Sequence, residues 1–174
     1  MNQSSLIKRL EDNIHVFGVL VNTVQGDDAR WRPESGNWSV LEVMCHLADE
    51  EEEDFRVRLE STLSNPKASW SGLDFDRISE RRGYMERRIE DEFGRFRARR
   101  NQNIAWLRGF DDLSRLPWVN AYQHPSGPIR AGDLLASWAA HDALHIRQIA
   151  KRIYEMACRD GAPYSTAYAG EWKA

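Results

Sequence analysis

Apolar residues recurring at steps of three and four dominate this chain and restrict it to helix packed on helix. Leu6, Leu10, Ile14, Phe17 and Val21 mark one buried helical stripe, which Gly26, Asp27 and Asp28 bring to an end. A second segment starts at Ser39, followed three residues later by Glu42. At that spacing each side chain can satisfy the other's unpaired backbone N–H. Val40, Met44, Leu47, Phe55, Leu59 and Leu63 then give a long, partly buried surface, closed by Asn65 and Pro66. A third stripe, Met85, Ile89, Phe93, Phe96, Ile104 and Leu107, predicts a helix over about 84–109, with Gly94 as a candidate bend. The fourth, over about 132–159, is expected to bury Leu135, Ala139, Ile146, Ile149, Ile153 and Ala157 before Gly161 and Pro163 terminate it.

Strand-like alternation is nearly absent. The expected fold class is therefore all-α, a four-helix bundle, and the 174 residues suffice for one domain over 1–174 rather than two. Two stretches stay irregular. Trp70, Leu73, Phe75 and Ile78 follow no single period, so 67–83 reads as a loop with a short helical turn capping the bundle. Residues 110–130, with Pro117, Pro125, Gly127 and Pro128, read as a long connector. Most of the acidic run Asp49 to Asp54 is expected to face water, with Asp49 and Glu50 as the exceptions. Arg97, Arg99 and Arg100, just after Glu90, Asp91 and Glu92, read as a solvated helix face.

A net charge of −3 and a pI near 6.0 give no reason to expect nucleic acid or an anionic membrane as partner. No apolar run approaches the roughly 20 residues that span a bilayer, and Met1 to Asn13 lacks a signal-peptide core. Cys45 and Cys158 fall inside predicted helices with no disulfide framework, which suits a reduced, cytoplasmic protein.

The chemistry lies in the histidines. His141 and His145 are four apart on a predicted helix, so their rings leave one face with Cβ atoms roughly 5–6 Å apart. That suits two imidazoles on one ion, and equally a core pair bonded to carbonyls or carboxylates. His46, two turns into the capped helix and beside Val43 and Leu47, offers a third ring. Three histidines from two helices match the open-position geometry of catalytic zinc sites, and also suit nickel, copper or iron. Asp49 and Glu50, three and four residues after His46, are the candidate catalytic carboxylates: one of them can orient an imidazole, complete the coordination or act as general base. Gln148 shares the face of His145. Asp142 points about 100° away from His141 and is expected to bridge to an arginine of another helix. His124 reads as a locally bonded loop residue, His15 as a surface one, Cys45 as a packed small hydrophobe, and Trp38 and Trp138 as core and rim residues near the ligand-bearing regions.

The run Trp38-Ser-Val-Leu-Glu-Val-Met-Cys-His46-Leu-Ala-Asp49-Glu50, taken with Trp138-Ala-Ala-His141-Asp-Ala-Leu-His145-Ile-Arg-Gln148-Ile, resembles the DinB-like superfamily, including its YfiT-type proteins and bacillithiol- and mycothiol-dependent transferases. The helix from Phe93 to Leu107 and the His124-Pro-Ser-Gly127 element look similar too. The resemblance implies an up-down-down-up bundle, often a homodimer, holding one divalent metal ion, zinc or nickel, through His46, His141 and His145. It implies a small-molecule substrate and transfer of a low-molecular-weight thiol to an electrophile. The alternatives are metal-dependent hydrolysis, or a stress protein that binds metal and ligand without turnover. Relatives begin the last helix with a threonine or serine cap, whereas Arg130-Ala-Gly-Asp133 stands here, leaving Asp133 as the candidate cap.

Overall fold

The computed structural model describes residues 1–24, 26–70 and 77–173. Its long helices are α1 (Gln3–Asn22), α3 (Val40–Glu53) continued by α4 (Phe55–Ser64), α6 (Ile89–Arg108) and α7 (Ala131–Gly161); α2 (Asp27–Arg30) and α5 (Ile78–Arg81) are single turns. α3 packs on α6, α1 on α6 and α7, and α4 on α7, which closes the expected up-down-down-up four-helix bundle. Leu73 and Phe75 lie outside the described residues.

Local chemistry sets the helix starts. The Ser39 and Glu42 side chains cap α3 reciprocally, as their spacing requires. Glu42 also receives Arg32 and Ser79, which ties the loop before α3 and the start of α5 to the same cap. At α7, Asp133 at the third helical position accepts the backbone N–H of Arg130, the N-cap residue, at 2.9 Å; this is the reciprocal half of a capping box, and it leaves the hydrogen bond of an N-cap threonine unreplaced.

Two expectations fail at the periphery. The connector holds a hairpin, β1 (Ala121–His124) paired antiparallel with β2 (Gly127–Arg130), Tyr122 opposite Ile129. Four-residue strands are too short to show alternation, and Gly127 at φ +120° supplies the turn conformation that a side chain resists. Trp70 stacks on Tyr122 with ring centroids 4.0 Å apart and holds the hairpin to the bundle. On α7, Ala157 is exposed while Met156 and Arg152 are buried, so the inward stripe drifts by one residue over the last turns.

The larger correction concerns charge. Of the acidic run only Glu52 and Glu53 meet solvent appreciably; Asp49, Glu50, Glu51 and Asp54 are buried, and so is Arg100. The outer carboxylates have partners: Asp49 and Glu53 with Arg82, Asp49 and Glu52 with Arg95, and Glu52 with Arg99. The inner ones join a polar belt across the waist of the bundle. Ile7, Leu10 and Ile14 of α1, Leu59 of α4, Ile104 and Leu107 of α6, and Leu134, Leu135 and Trp138 of α7 form one apolar cluster. Phe17, Val21, the first half of α3, Phe96 and Ile149 form the other. Between them lie Glu50, Glu51, Arg100, Asn103, His141, Asp142 and His145.

Candidate metal centre

α3 carries His46 and Glu50 one turn apart, and α7 carries His141 and His145 one turn apart. The pairing of these two helices across the waist brings all four side chains together, with one donor atom from each within 4.8 Å of every other. His141 Nε2 and His145 Nε2 are 2.9 Å apart. Oε2 of Glu50 is 3.1 Å from His141 Nε2 and 3.4 Å from His46 Nε2. Donors bound to one ion at roughly 2.0–2.2 Å sit about 3–3.5 Å from their neighbours, so the cluster has the dimensions of a coordination shell.

The electrostatics agree. Burial pushes the imidazoles of His46 and His141 down to about 4 and about 3, the nearby His145 charge adding to the effect, and burial lowers His145 as well. At neutral pH all three rings are uncharged and have lone pairs to offer. Glu50 moves the other way: burial, then the charges of Asp54 and Glu51, raise its carboxyl to about 8. Its Oε2 is buried without a hydrogen bond among the described residues, facing imidazole nitrogens. With the carboxyl held protonated and the imidazoles neutral, the empty cluster carries little charge, and a cation binding there would displace the Glu50 proton and meet the nitrogen lone pairs. The donor set therefore fits a divalent ion of the nitrogen-preferring kind.

Aromatic rings wall the cluster. Trp38 meets the His46 ring edge-on at 5.2 Å, and Phe55 lies 5.1 Å from His141 while stacking on Trp138. His141 and His145, half-buried, form the open side. Behind the donors, Glu51 takes the Trp138 indole N–H at 2.7 Å, the Asn103 amide at 2.9 Å and the Arg100 guanidinium at 2.8 Å. Asp142 does bridge to an arginine of another helix, and that arginine is Arg100.

Of the carboxylates expected at the site, the structure brings in Glu50 and turns Asp49 away. Asp49 faces α6 and the segment leading into it, accepting from Arg95 of α6 and from Arg82 and the Tyr84 hydroxyl before it, and those bonds outweigh burial to hold its pKa below the usual range. Asp49, Glu52 and Glu53 cluster closely enough to suggest a second cation site, but guanidinium groups already fill it. Gln148 bonds His145 at 2.8 Å. His124 bonds Ser126 in the hairpin turn, and His15 is exposed. Cys45 is packed against Tyr84, its thiol pushed up to about 12 by burial, and so is inert at neutral pH. Sequence reasoning missed Glu51 and Arg100 as the support behind the donors. Their signal, opposite charges on inward-facing helical positions, is visible only once the helix faces are known. A cavity of about 310 Å³ lined by Leu63, Trp106, Phe110, Leu116 and Pro117 lies apart from these donors and touches none of them.

The model of the DinB superfamily matches residues 9–149, a span containing all four donors. Among solved structures, YfiT from Bacillus subtilis, described as a probable metal-dependent hydrolase with an unusual four-helix bundle topology, is similar at 21% identity. The match covers 89% of this chain and 87% of that one, with a TM-score of 0.76. At this identity the likeness concerns the fold. No curated protein matches the chain.

Proposed function

The chain belongs to the DinB superfamily, and from that premise we propose that it is a metal-dependent enzyme of the hydrolase type. In this reading His46, His141 and His145 hold one divalent ion, zinc or nickel, and Glu50 handles the proton. The observation that carries it is the position of Glu50, a buried carboxyl whose Oε2 sits 3.1 Å and 3.4 Å from two of the imidazoles. When bound, the ion would supply Lewis acidity, lowering the pKa of a nucleophile drawn into the site and polarising the bond under attack.

The protein's own residues do the rest. Without an ion, burial keeps the Glu50 carboxyl largely protonated at neutral pH; the positive charge of a bound ion would lower it, freeing Oε2 to take a proton and return it to a leaving group. Trp38 and Phe55 give the site apolar flanks that exclude water and seat an apolar part of the substrate. Glu51, Arg100 and Asp142 fix α3 and α7 relative to each other, so the donors keep their spacing without a ligand.

Those apolar flanks also favour a second reading, transfer of a low-molecular-weight thiol to an apolar electrophile, with Glu50 deprotonating the thiol. Both are tested with tag-free protein loaded with zinc or nickel. The substrates are activated esters and amides in water, then a model electrophile with a panel of thiols that includes bacillithiol and mycothiol. Metal-dependent turnover that disappears in His46→Ala is the expected result. Hydrolysis without added thiol supports the first reading, and strict thiol dependence the second. Full metal loading with no turnover on either panel would leave a metal- and ligand-binding protein.

A further inference from the structure

Gln148 stands one turn beyond His145 on α7, and its Oε1 lies 2.8 Å from Nδ1 of that imidazole. A carboxamide oxygen only accepts hydrogen bonds, so this contact requires the ring proton to sit on Nδ1. The opposite nitrogen, Nε2, is left with its lone pair, and Nε2 is the atom that faces the cluster, 2.9 Å from Nε2 of His141. Without the acceptor, the proton divides between the two nitrogens. Every molecule carrying it on Nε2 presents an N–H where a lone pair is needed.

We propose that Gln148 is a positioning residue that locks His145 as its Nδ1–H tautomer and so readies Nε2 to bind the divalent ion. The inference rests on the metal-centre reading above and adds to it a residue that touches neither ion nor substrate. Outer partners that orient a ligand imidazole are commonly worth ten- to a hundredfold in metal affinity. Gln148 is half-buried, so replacing it disturbs little of the core.

The test has two readouts. Zinc affinity, measured by competition with a chromophoric chelator, is expected to fall ten- to a hundredfold in Gln148→Leu. It should return to within about threefold of wild type in Gln148→Glu, which keeps an acceptor oxygen at the same reach. In metal-free protein, long-range proton–nitrogen correlation spectra of nitrogen-15-labelled histidine should show His145 as Nδ1–H in wild type and as a mixture in Gln148→Leu. Affinity within about twofold of wild type in Gln148→Leu, or a His145 tautomer untouched by the substitution, overturns the proposal and leaves the metal centre standing. Wild-type protein that takes up neither zinc nor nickel removes the metal centre itself, a failure seen before any variant is compared.

Discussion

The Arg100 guanidinium grips the Asp142 carboxylate through two hydrogen bonds, Nη1 to Oδ2 at 2.7 Å and Nη2 to Oδ1 at 2.8 Å, and neither side chain meets solvent. The same guanidinium reaches Glu51 at 2.8 Å and the carbonyl of Leu10 at 3.0 Å. Glu51 follows Glu50 in the chain and Asp142 follows His141, so one buried cation on α6 ties together the two helices that carry the metal donors. Burial disfavours its charge, but Glu51 and Asp142 more than offset that and keep Arg100 protonated. A charge held this way is costly to expose to a missing partner.

Asp142→Ala removes one partner and leaves Arg100 with Glu51 and Leu10. The expected loss of stability is about 3 kcal/mol, read as a lower urea midpoint at unchanged slope. Arg100→Ala should cost more, because it leaves two buried carboxylates, Glu51 and Asp142, with neutral donors but no counter-charge. Asp142→Ala with wild-type stability would show that the belt does not depend on this pair.

That belt marks the boundary of what the sequence makes legible. The stripes of α1, α3 and α6, the Ser39–Glu42 cap and the shared face of His141 and His145 follow from spacing, because helix geometry converts spacing directly into faces; that His46 joins the pair is what the family resemblance implies. Charge resists the same treatment. Whether Glu51, Asp54 or Arg100 meets water depends on which helix lies opposite, and a charged residue is taken as solvated until its partner is in view. Spacing from His46 makes both Asp49 and Glu50 candidates on α3. Only the packing of α6 and Arg82 against one side of the helix separates them, assigning Asp49 to the arginines and Glu50 to the histidines.

Glu42 should give the fold an acid-sensitive contribution. Burial alone would push its carboxyl up, but hydrogen bonds from Arg32, Ser79 and the Ser39 backbone together hold it below the 4.5 of an ordinary glutamate. A carboxyl with a depressed folded pKa stabilises the protein fully above its unfolded value, and that stability disappears as pH falls through the folded one. Glu42→Gln is therefore expected to unfold at lower urea than wild type at pH 7, with the gap closing progressively below about pH 4.5. A gap that stays constant down to pH 3 would mean that the charge on Glu42 contributes nothing.

Metal content should divide the histidines by position. His46→Ala and His141→Ala are expected to lose the ion, and His15→Ala and His124→Ala to keep it, as measured by elemental analysis of tag-free protein. An ion that binds only the folded chain also stabilises it, by about 2.7 kcal/mol when present at a hundred times its dissociation constant. Chelation should accordingly lower the melting temperature of wild type and leave that of His141→Ala unchanged. Equal metal content in all four variants would place the ion elsewhere.

Glu50 faces a sharper question, because a carboxylate at its distances from His141 and His46 can serve as a fourth ligand or as a base. The two roles separate cleanly in Glu50→Gln, which keeps the shape of the side chain and removes the charge. A ligand lost to an amide should weaken zinc or nickel binding by an order of magnitude or more. A base lost should leave affinity within about threefold while turnover falls by roughly 10²–10⁴. The second outcome is expected, since His46, His141 and His145 already supply the three protein ligands of an open site and leave Glu50 beside it. Weakened binding with unchanged turnover per bound ion would instead make Glu50 part of a four-donor shell. In that shell the nucleophile would need a coordination number above four, and the proton would have to leave by another residue.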